Sequence, residues 1–189
     1  LQTQAPPMGW PFVRRRMNAE LGPDWEKRFK TFERDAAAAA SLGQVHRATD
    51  KKGRALACKL QYADMASAVE ADLAQLRLIF ALYRRMDRAI DPSEIAEEVG
   101  ARLREELDYR REAAHIALYR TMLKDIPQIH VPEVFHDLST ERLLTMSWEP
   151  GRPILEFKDR PLADRNKLAT LLFRAWWHPF SRFATIHGD

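Results

Sequence analysis

Two alternating stretches around a short turn constrain the fold more than any other feature of this chain. Residues 43–49 and 54–61 alternate in side-chain character, and residues 50–53 have the composition of a turn. In the second stretch one face carries Leu56, Cys58 and Leu60, and the other carries Ala57, Lys59 and Gln61. A period of two places successive side chains on opposite faces of a strand. The pattern therefore predicts a β-hairpin.

Helical patterns precede and follow the hairpin. Residues 12–21 and 25–32 are predicted to form two short helices, and residues 65–83 carry apolar side chains at spacings of three and four. Another helix is expected to begin at Asp91, an effective N-cap residue, and to run past residue 115.

The last third of the chain predicts more strands and one more helix. Residues 131–138 and 142–148 resemble a second pair of strands, and residues 162–177 resemble a helix that ends near Pro179. Helices, a hairpin, two helices, a strand pair and a helix then follow one another along the chain. This order predicts an α+β fold.

An alanine run, residues 36–40, stands directly before the hairpin. Because alanine favours helices, the simplest interpretation is a short helix that ends at Gly43. A second interpretation compares the run with the glycine-rich loop of protein kinases, G-x-G-x-x-G-x-V. Its four fixed positions are occupied here by Ala38, Ala40, Gly43 and Val45.

Two further kinase-like elements follow in the expected order. Lys59 ends the segment Leu-Ala-Cys-Lys, which has the shape of the strand motif V-A-I-K, and residues 187–189, His-Gly-Asp, resemble the start of the catalytic loop. Each match is common by itself. Three matches in order, two of them on a predicted hairpin, indicate a kinase-like arrangement.

Two longer segments carry a more specific resemblance. Residues 38–48 resemble the alanine-rich loop of the UbiB/ADCK family of atypical protein-kinase-like proteins, and residues 106–113 resemble the Glu-x-Asp element of that family. The resemblance covers nearly the whole chain. It implies a protein-kinase-like fold, with an antiparallel-sheet N-lobe, extra helices and the beginning of a helical C-lobe.

The resemblance also implies a division of the chain. We expect a helical lead-in over residues 1–35, an N-lobe over 36–148, and the hinge with the start of a C-lobe over 149–189, as in a fragment that is cut at the catalytic loop. The distances along the chain from Lys59 to Glu112 and to Asp189 both exceed those of ordinary kinases by about thirty residues. One helical insertion, at about residues 63–88, accounts for both.

The chemistry of ATP assigns roles to the charged candidates. A lysine on a strand can reach the phosphates, and an acid on the following helix can hold its ammonium group in place. We predict the first role for Lys59, for which the alternative is an ordinary surface lysine. The family resemblance implies the second role for Glu112, whose register matches the ion pair of that family. The resemblance makes Asp189 the catalytic aspartate. The predicted nucleotide-binding residues are Ala38, Ala39, Ala40, Ser41, Gly43, Gln44, Val45, Lys59, Met146 and Trp148.

Glu106 and Asp108 present a geometric problem. Residues two apart on an unbroken helix point about 200° apart. Either the helix is broken near Asp108, or the two acids have separate partners. The resemblance implies that Glu106 binds a lysine from an N-terminal Lys-x-Gly-Gln element. The alternative is a solvated acidic face that pairs with neighbouring arginines.

Composition limits the functional classes. The net charge is only +3 and the basic clusters alternate with acids, which argues against a nucleic-acid partner. A single cysteine excludes an internal disulfide and is typical of a reducing compartment. We expect a cytoplasmic location, with association with a membrane as a further expectation.

The resemblance implies ATP and Mg²⁺ as cofactors, with the magnesium ligands downstream of Asp189 and none within this chain. It implies ATPase or phosphotransfer activity in the full-length protein, support of ubiquinone biosynthesis, and contacts with membrane lipid or quinone-biosynthesis proteins. We expect the fragment itself to be inactive. The alternative is a non-catalytic pseudokinase or lipid-binding regulatory module that uses nucleotide as a conformational ligand.

Overall fold

The computed structural model describes residues 8–40, 42–86 and 93–186. The helices α1 to α5 are Trp10–Leu21, Met65–Met86, Ser93–Leu107, Tyr109–Leu123 and Leu162–Phe183. The strands β1 to β4 are Phe29–Ala40, Gly43–Asp50, Ala55–Gln61 and Leu143–Ser147. Short 3-10 helices occupy Trp25–Arg28, His136–Leu138 and Ile154–Phe157. The predicted α+β class is confirmed.

The four strands form one antiparallel sheet in the order β1-β2-β3-β4. One row of partners across the sheet consists of Ala38, Val45, Lys59 and Leu144. A neighbouring row, across the last three strands, consists of Gln44, Leu60 and Leu143. Because side chains alternate along a strand, these rows point to opposite faces. We call the face of Lys59 the inner face and the face of Leu60 the outer face.

The outer face is closed by the N-terminal part of the chain. α1 and the short helix after it pack there, together with residues from the segment before β4. The buried members of this core are Val13, Met17, Trp25, Phe29, Ala48, Leu56, Cys58, Leu60, Phe135, Leu138 and Leu143. Trp25 makes edge-on contacts with Phe29 and Phe32, at ring-centroid distances of 6.1 and 5.0 Å. The lead-in therefore belongs to the main hydrophobic core.

The inner face is covered only in part. Tyr109 and Ala113 of α4 pack on Leu144 of β4, with Ile116 and Met146 partly buried beside them. This cluster leaves the side of the sheet that carries the alanine run without a comparable cover, because Ala37, Ala38 and Ala39 are exposed. The fold thus produces one closed face and one partly open face.

The helical interpretation of the alanine run is wrong. The run is the last part of β1, where Ala38 pairs with Val45 and Ala40 with Gly43. Hydrogen bonding to β2 overrides the helix preference of alanine, which is worth only tenths of a kcal/mol per residue. The helix expected over residues 25–32 ends at Arg28 for the same reason, since β1 begins at Phe29.

Three other boundaries differ from expectation. Residues 131–138 do not form a strand; they contribute an isolated bridge between Val134 and Met146 and then a 3-10 turn. The last helix continues through Pro179 to Phe183, although proline removes one backbone donor; Pro179 is the buried residue of this helix. The helix expected to run past residue 115 is interrupted at Asp108.

Within the described ranges, no helix combines the length and the apolar character that crossing a bilayer requires. The helix predicted at about residues 63–88 is α2, which covers Met65–Met86. The end of that prediction, residues 87 and 88, lies outside the described residues, as do Asp91 and Pro92.

Candidate functional site

An ion pair between β3 and α4 lies at the centre of the inner face. Nζ of Lys59 donates to both carboxylate oxygens of Glu112, at 2.8 and 2.7 Å. The two side chains are 18% and 35% exposed, so the pair is shielded but open to solvent. Nζ also lies 4.8 Å from the ring centroid of Tyr109, within cation–π range. The structure thus brings the two predicted charged groups together and orients the ammonium group.

The alanine run forms an edge beside this pair. Ala38, Val45 and Lys59 are successive partners across three strands, so their side chains lie in one row on the inner face. Ala39 and Ala40 continue β1 to the end of the hairpin, where they pair with Gln44 and Gly43. Small side chains at this edge leave the backbone accessible. Ser41, at the turn itself, lies outside the described residues.

Gly43 sits where the hairpin approaches the rest of the site most closely. A Cβ atom built on Gly43 would lie 2.4 Å from the carbonyl oxygen of Leu60 and 3.0 Å from the hydroxyl of Tyr109. A contact of 2.4 Å to a backbone atom requires the backbone to move. Gly43 is therefore needed for space at this position, and it brings β2 close to both β3 and α4.

Gln44 points away from the inner face. Its side chain is 1% exposed on the outer face, where it binds the backbone of Met8 and the ring of His46. The side chain is thus already engaged in the core, and only the backbone of Gln44 adjoins the inner face.

Met146 and Trp148 lie at the end of β4 that leads to residues 149–153. Met146 pairs with Ala57 and is half-buried against the α4 cluster. The backbone N–H of Trp148 donates to Ala55 O at 3.0 Å, and Arg47 lies 5.1 Å from the Trp148 ring centroid. Met146 thus lies in the same sheet as Lys59, and Trp148 directly follows β4, on the side expected for the hinge.

The break at Asp108 resolves the geometric problem of the two acids. The carboxylate of Asp108 accepts hydrogen bonds from the backbone N–H groups of Arg110 and Arg111, at 3.0 and 3.2 Å, and so caps the N-terminus of α4. Glu106 belongs to the last turn of α3 and is exposed. The two acids therefore lie on different helices, and one of them has a clear structural role.

Tyr109 is a site residue that the sequence reasoning did not assign. Its side chain is 1% exposed, and in the described part of the chain its hydroxyl has no hydrogen-bond partner. Burial, with Glu112 and Glu106 nearby, raises the pKa of Tyr109 well above its usual value. The residue stands within the Glu-Leu-Asp-Tyr segment, so its position directly after the capping aspartate was the available signal.

The predicted catalytic aspartate, Asp189, lies outside the described residues together with His187. Among the ranges that the structure describes, no group of three or more His, Cys, Asp or Glu side chains is arranged to hold a metal ion.

Comparisons with known proteins agree with this geometry. The model of the ABC1 atypical kinase-like domain matches residues 1–189. The atypical kinase coq-8, mitochondrial, of Caenorhabditis elegans is 31% identical over 157 residues, which are 83% of this chain and 21% of that protein. The atypical kinase COQ8, mitochondrial, of Saccharomyces cerevisiae is 27% identical over 173 residues, 92% of this chain and 34% of that protein. The chain thus spans about a fifth to a third of the length of these relatives.

A solved structure shows the same fold. The complex of Rv3197 with erythromycin from Mycobacterium tuberculosis superposes with a TM-score of 0.87 at 31% sequence identity. The match covers 97% of this chain and 47% of that chain. The family resemblance and the kinase-like fold expected from the sequence are both confirmed. The chain belongs to the ABC1 atypical kinase-like family, which includes the COQ8 atypical kinases.

Proposed function

We propose that the inner face is an ATP-binding site, and that the full-length protein uses it for ATPase or phosphotransfer chemistry. The observation that carries the proposal is the Lys59–Glu112 pair, with Nζ to carboxylate distances of 2.7 and 2.8 Å beneath the alanine hairpin. A lysine held in this way presents a fixed positive charge to a triphosphate. ATP, when bound, would supply the transferable phosphoryl group.

The other candidates have distinct roles in this proposal. The backbone of the hairpin, at Ala38 to Ala40, Ser41, Gly43 and Val45, covers the phosphates. Met146 and Trp148 border the adenine. Asp189 is the catalytic aspartate. We assign the regulatory role of the Glu-x-Asp element to Glu106, since Asp108 caps α4.

Family membership supports a wider role. We propose that the full-length protein supports ubiquinone biosynthesis, with membrane lipid or quinone-biosynthesis proteins as partners, since it shares a domain with the COQ8 atypical kinases. We propose a cytoplasmic location for the protein, with membrane association. Several positively charged side chains are paired with acids, as Arg102 is with Glu98 and Glu105, which fits a protein without a nucleic-acid partner.

Titration of the chain with MgATP, followed by calorimetry, tests the binding site. Lys59→Met removes the charge at the centre of the site and should weaken binding at least about tenfold, the effect of a lost charge-assisted contact of 1.5–3 kcal/mol. Lys52→Met is the matched control, because Lys52 is an exposed lysine in the turn between β2 and β3. Equal affinities of the two variants would contradict the proposal.

The second candidate function is a pseudokinase or lipid-binding module that uses nucleotide only as a conformational ligand. The observation in its favour is the capped start of α4, because Glu112, the partner of Lys59, lies in the first turn of that helix. A nucleotide that draws Lys59 away from Glu112 would therefore act on the start of α4. A magnesium-dependent ATPase assay of the full-length protein separates the two. Turnover that Lys59→Met abolishes supports the enzyme, and binding without turnover supports the pseudokinase.

A further inference from the structure

The side-chain amide of Gln44 makes three hydrogen bonds on the outer face. Its oxygen accepts from the backbone N–H of Met8 at 2.6 Å, and its nitrogen donates to the carbonyl oxygen of Met8 at 3.3 Å. The same nitrogen lies 2.7 Å from Nε2 of His46. Gln44 therefore holds the backbone of Met8 in the way that a neighbouring strand would hold it.

The ring of His46 extends this connection to β1. Its Nδ1 lies 2.9 Å from the carbonyl oxygen of Glu33, so Nδ1 carries the proton and donates. Nε2 is then the acceptor that Gln44 requires. The Glu33 carbonyl lies where the pairing of β1 with β2 shifts register, between Phe32 and Ala36, and the histidine supplies a donor for it there.

These contacts converge on the strand that carries the hairpin. Gln44 lies between Gly43, which packs against Leu60 and Tyr109, and Val45, which is the partner of Lys59. Phe32 stacks on the His46 ring at a centroid distance of 5.2 Å, and the side chains of Gln44 and His46 are both buried. A shift of Gln44 on the outer face must therefore move the backbone that faces Lys59.

We propose that Gln44 and His46 are positioning residues for the inner-face site. They bind Met8 and β1 to the base of the hairpin. The N-terminal segment thereby fixes the position of the alanine run relative to Lys59. This inference rests on the proposed nucleotide site for its functional consequence. Its structural part, the fixing of the hairpin by Met8, can be tested without any nucleotide.

The test uses the full chain and two independent variants. Gln44→Met keeps the length of the side chain and removes its hydrogen bonds. Met8→Pro removes the backbone donor of Met8 without altering the sheet, and Met8→Ala is its matched control because it shortens the side chain but keeps that donor. Thr140→Val is a second control, because the Thr140 hydroxyl binds Glu20 of α1 at 2.6 Å and not Met8, Gln44 or His46.

Hydrogen exchange of the amides at Ala36 to Ala40 and Gly43 to Val45, without nucleotide, gives the first readout. We expect exchange to be faster by about threefold to tenfold in Gln44→Met and Met8→Pro, as the loss of one hydrogen bond implies. Met8→Ala and Thr140→Val should leave the exchange of these amides unchanged. Equal exchange in Met8→Pro and Met8→Ala would overturn the inference.

The dissociation constant of MgATP gives the second readout. We expect it to rise about threefold to tenfold in Gln44→Met and Met8→Pro, and to stay constant in Thr140→Val even if that variant melts earlier. Faster hairpin exchange with unchanged affinity would overturn the link to the site. If the unaltered chain did not bind MgATP at all, the proposed function would fail, and the exchange data would still decide whether Met8 fixes the hairpin.

Discussion

The two faces of the same sheet are built for different purposes. On the outer face, Cys58, Leu60 and Leu143 are fully buried beneath the N-terminal helices. On the inner face, their neighbour Lys59 keeps 18% of its side chain exposed and binds Glu112. Alternate residues of one strand thus contribute to the apolar core and to a charged site. The comparison teaches that the core and the charged site use different side chains of one strand, whereas a shift of the shared backbone affects both faces.

Mutations on the outer face should lower the stability most, because its side chains are buried in the core and deleting one of them leaves a cavity. Trp25 is 1% exposed and contacts several rings of the core. We expect Trp25→Ala to lower the free energy of unfolding by about 3–5 kcal/mol, the usual cost of deleting a large buried aromatic side chain. Chemical denaturation measures this loss. A cost similar to that of an exposed residue would contradict the closed outer face.

Gly43 is where the two faces meet, and its substitution should have the next largest effect. In Gly43→Ala the new methyl group would lie 2.4 Å from Leu60 O, so β2 or β3 must shift. We expect a loss of about 1–3 kcal/mol in unfolding free energy, as for other overpacked sites. Gly151→Ala is the matched control for the change from glycine to alanine, because a Cβ there meets nothing within 4 Å and the backbone of Gly151 does not have a positive φ. Unchanged stability and MgATP binding in Gly43→Ala would refute the close approach.

A smaller effect should come from pH on the outer face. Burial lowers the pKa of His46, while the Glu33 carbonyl and the Asp35 carboxylate oppose the shift. The unfolded chain takes up a proton near pH 6.5 and the folded chain does so only at lower pH, so stability is complete above about pH 6.5 and falls as the pH decreases below it.

For this one group, the slope is at most about 1.4 kcal/mol per pH unit. Denaturant unfolding of the chain and of His46→Gln, from roughly pH 5 to pH 8, would isolate the contribution of His46, because the variant lacks the titrating ring. A stability that rises as the pH falls through this window, and that His46→Gln abolishes, would contradict the buried neutral imidazole.

The smallest effect is expected on the inner face at Tyr109. Its hydroxyl is buried without a hydrogen-bond partner among the described residues, so Tyr109→Phe removes no hydrogen bond. We expect the unfolding free energy to rise by up to about 1 kcal/mol, since a buried polar group without a partner carries a desolvation penalty that phenylalanine lacks. A loss of stability would show instead that the hydroxyl has a partner, and thus that the inner face is more closed.

The sequence predicted the hairpin and the contact between Lys59 and Glu112, because the alternation of side chains and the register of the motifs can be recognised without knowledge of the tertiary structure. It did not predict β1, since an alanine run has no period that distinguishes a strand, and pairing with β2 decides its conformation. The orientation of Gln44 was predictable: it adjoins Val45 in a strand, and so it must face away from Lys59. The unused hydroxyl of Tyr109 depends on packing between α4 and Gly43, which no local pattern encodes.

The most direct test of the inner-face site is chemical labelling with an ATP derivative that carries an acyl group on its terminal phosphate. An amine held beside the phosphates attacks the acyl carbon, the acyl–phosphate bond breaks and ATP leaves. Mass spectrometry then locates the acylated lysines. We predict that Lys59 is acylated and that excess ATP prevents this, whereas the exposed Lys52 reacts slowly and independently of ATP. Labelling of Lys52 and Lys59 at similar rates, without competition by ATP, would contradict a nucleotide site on the inner face.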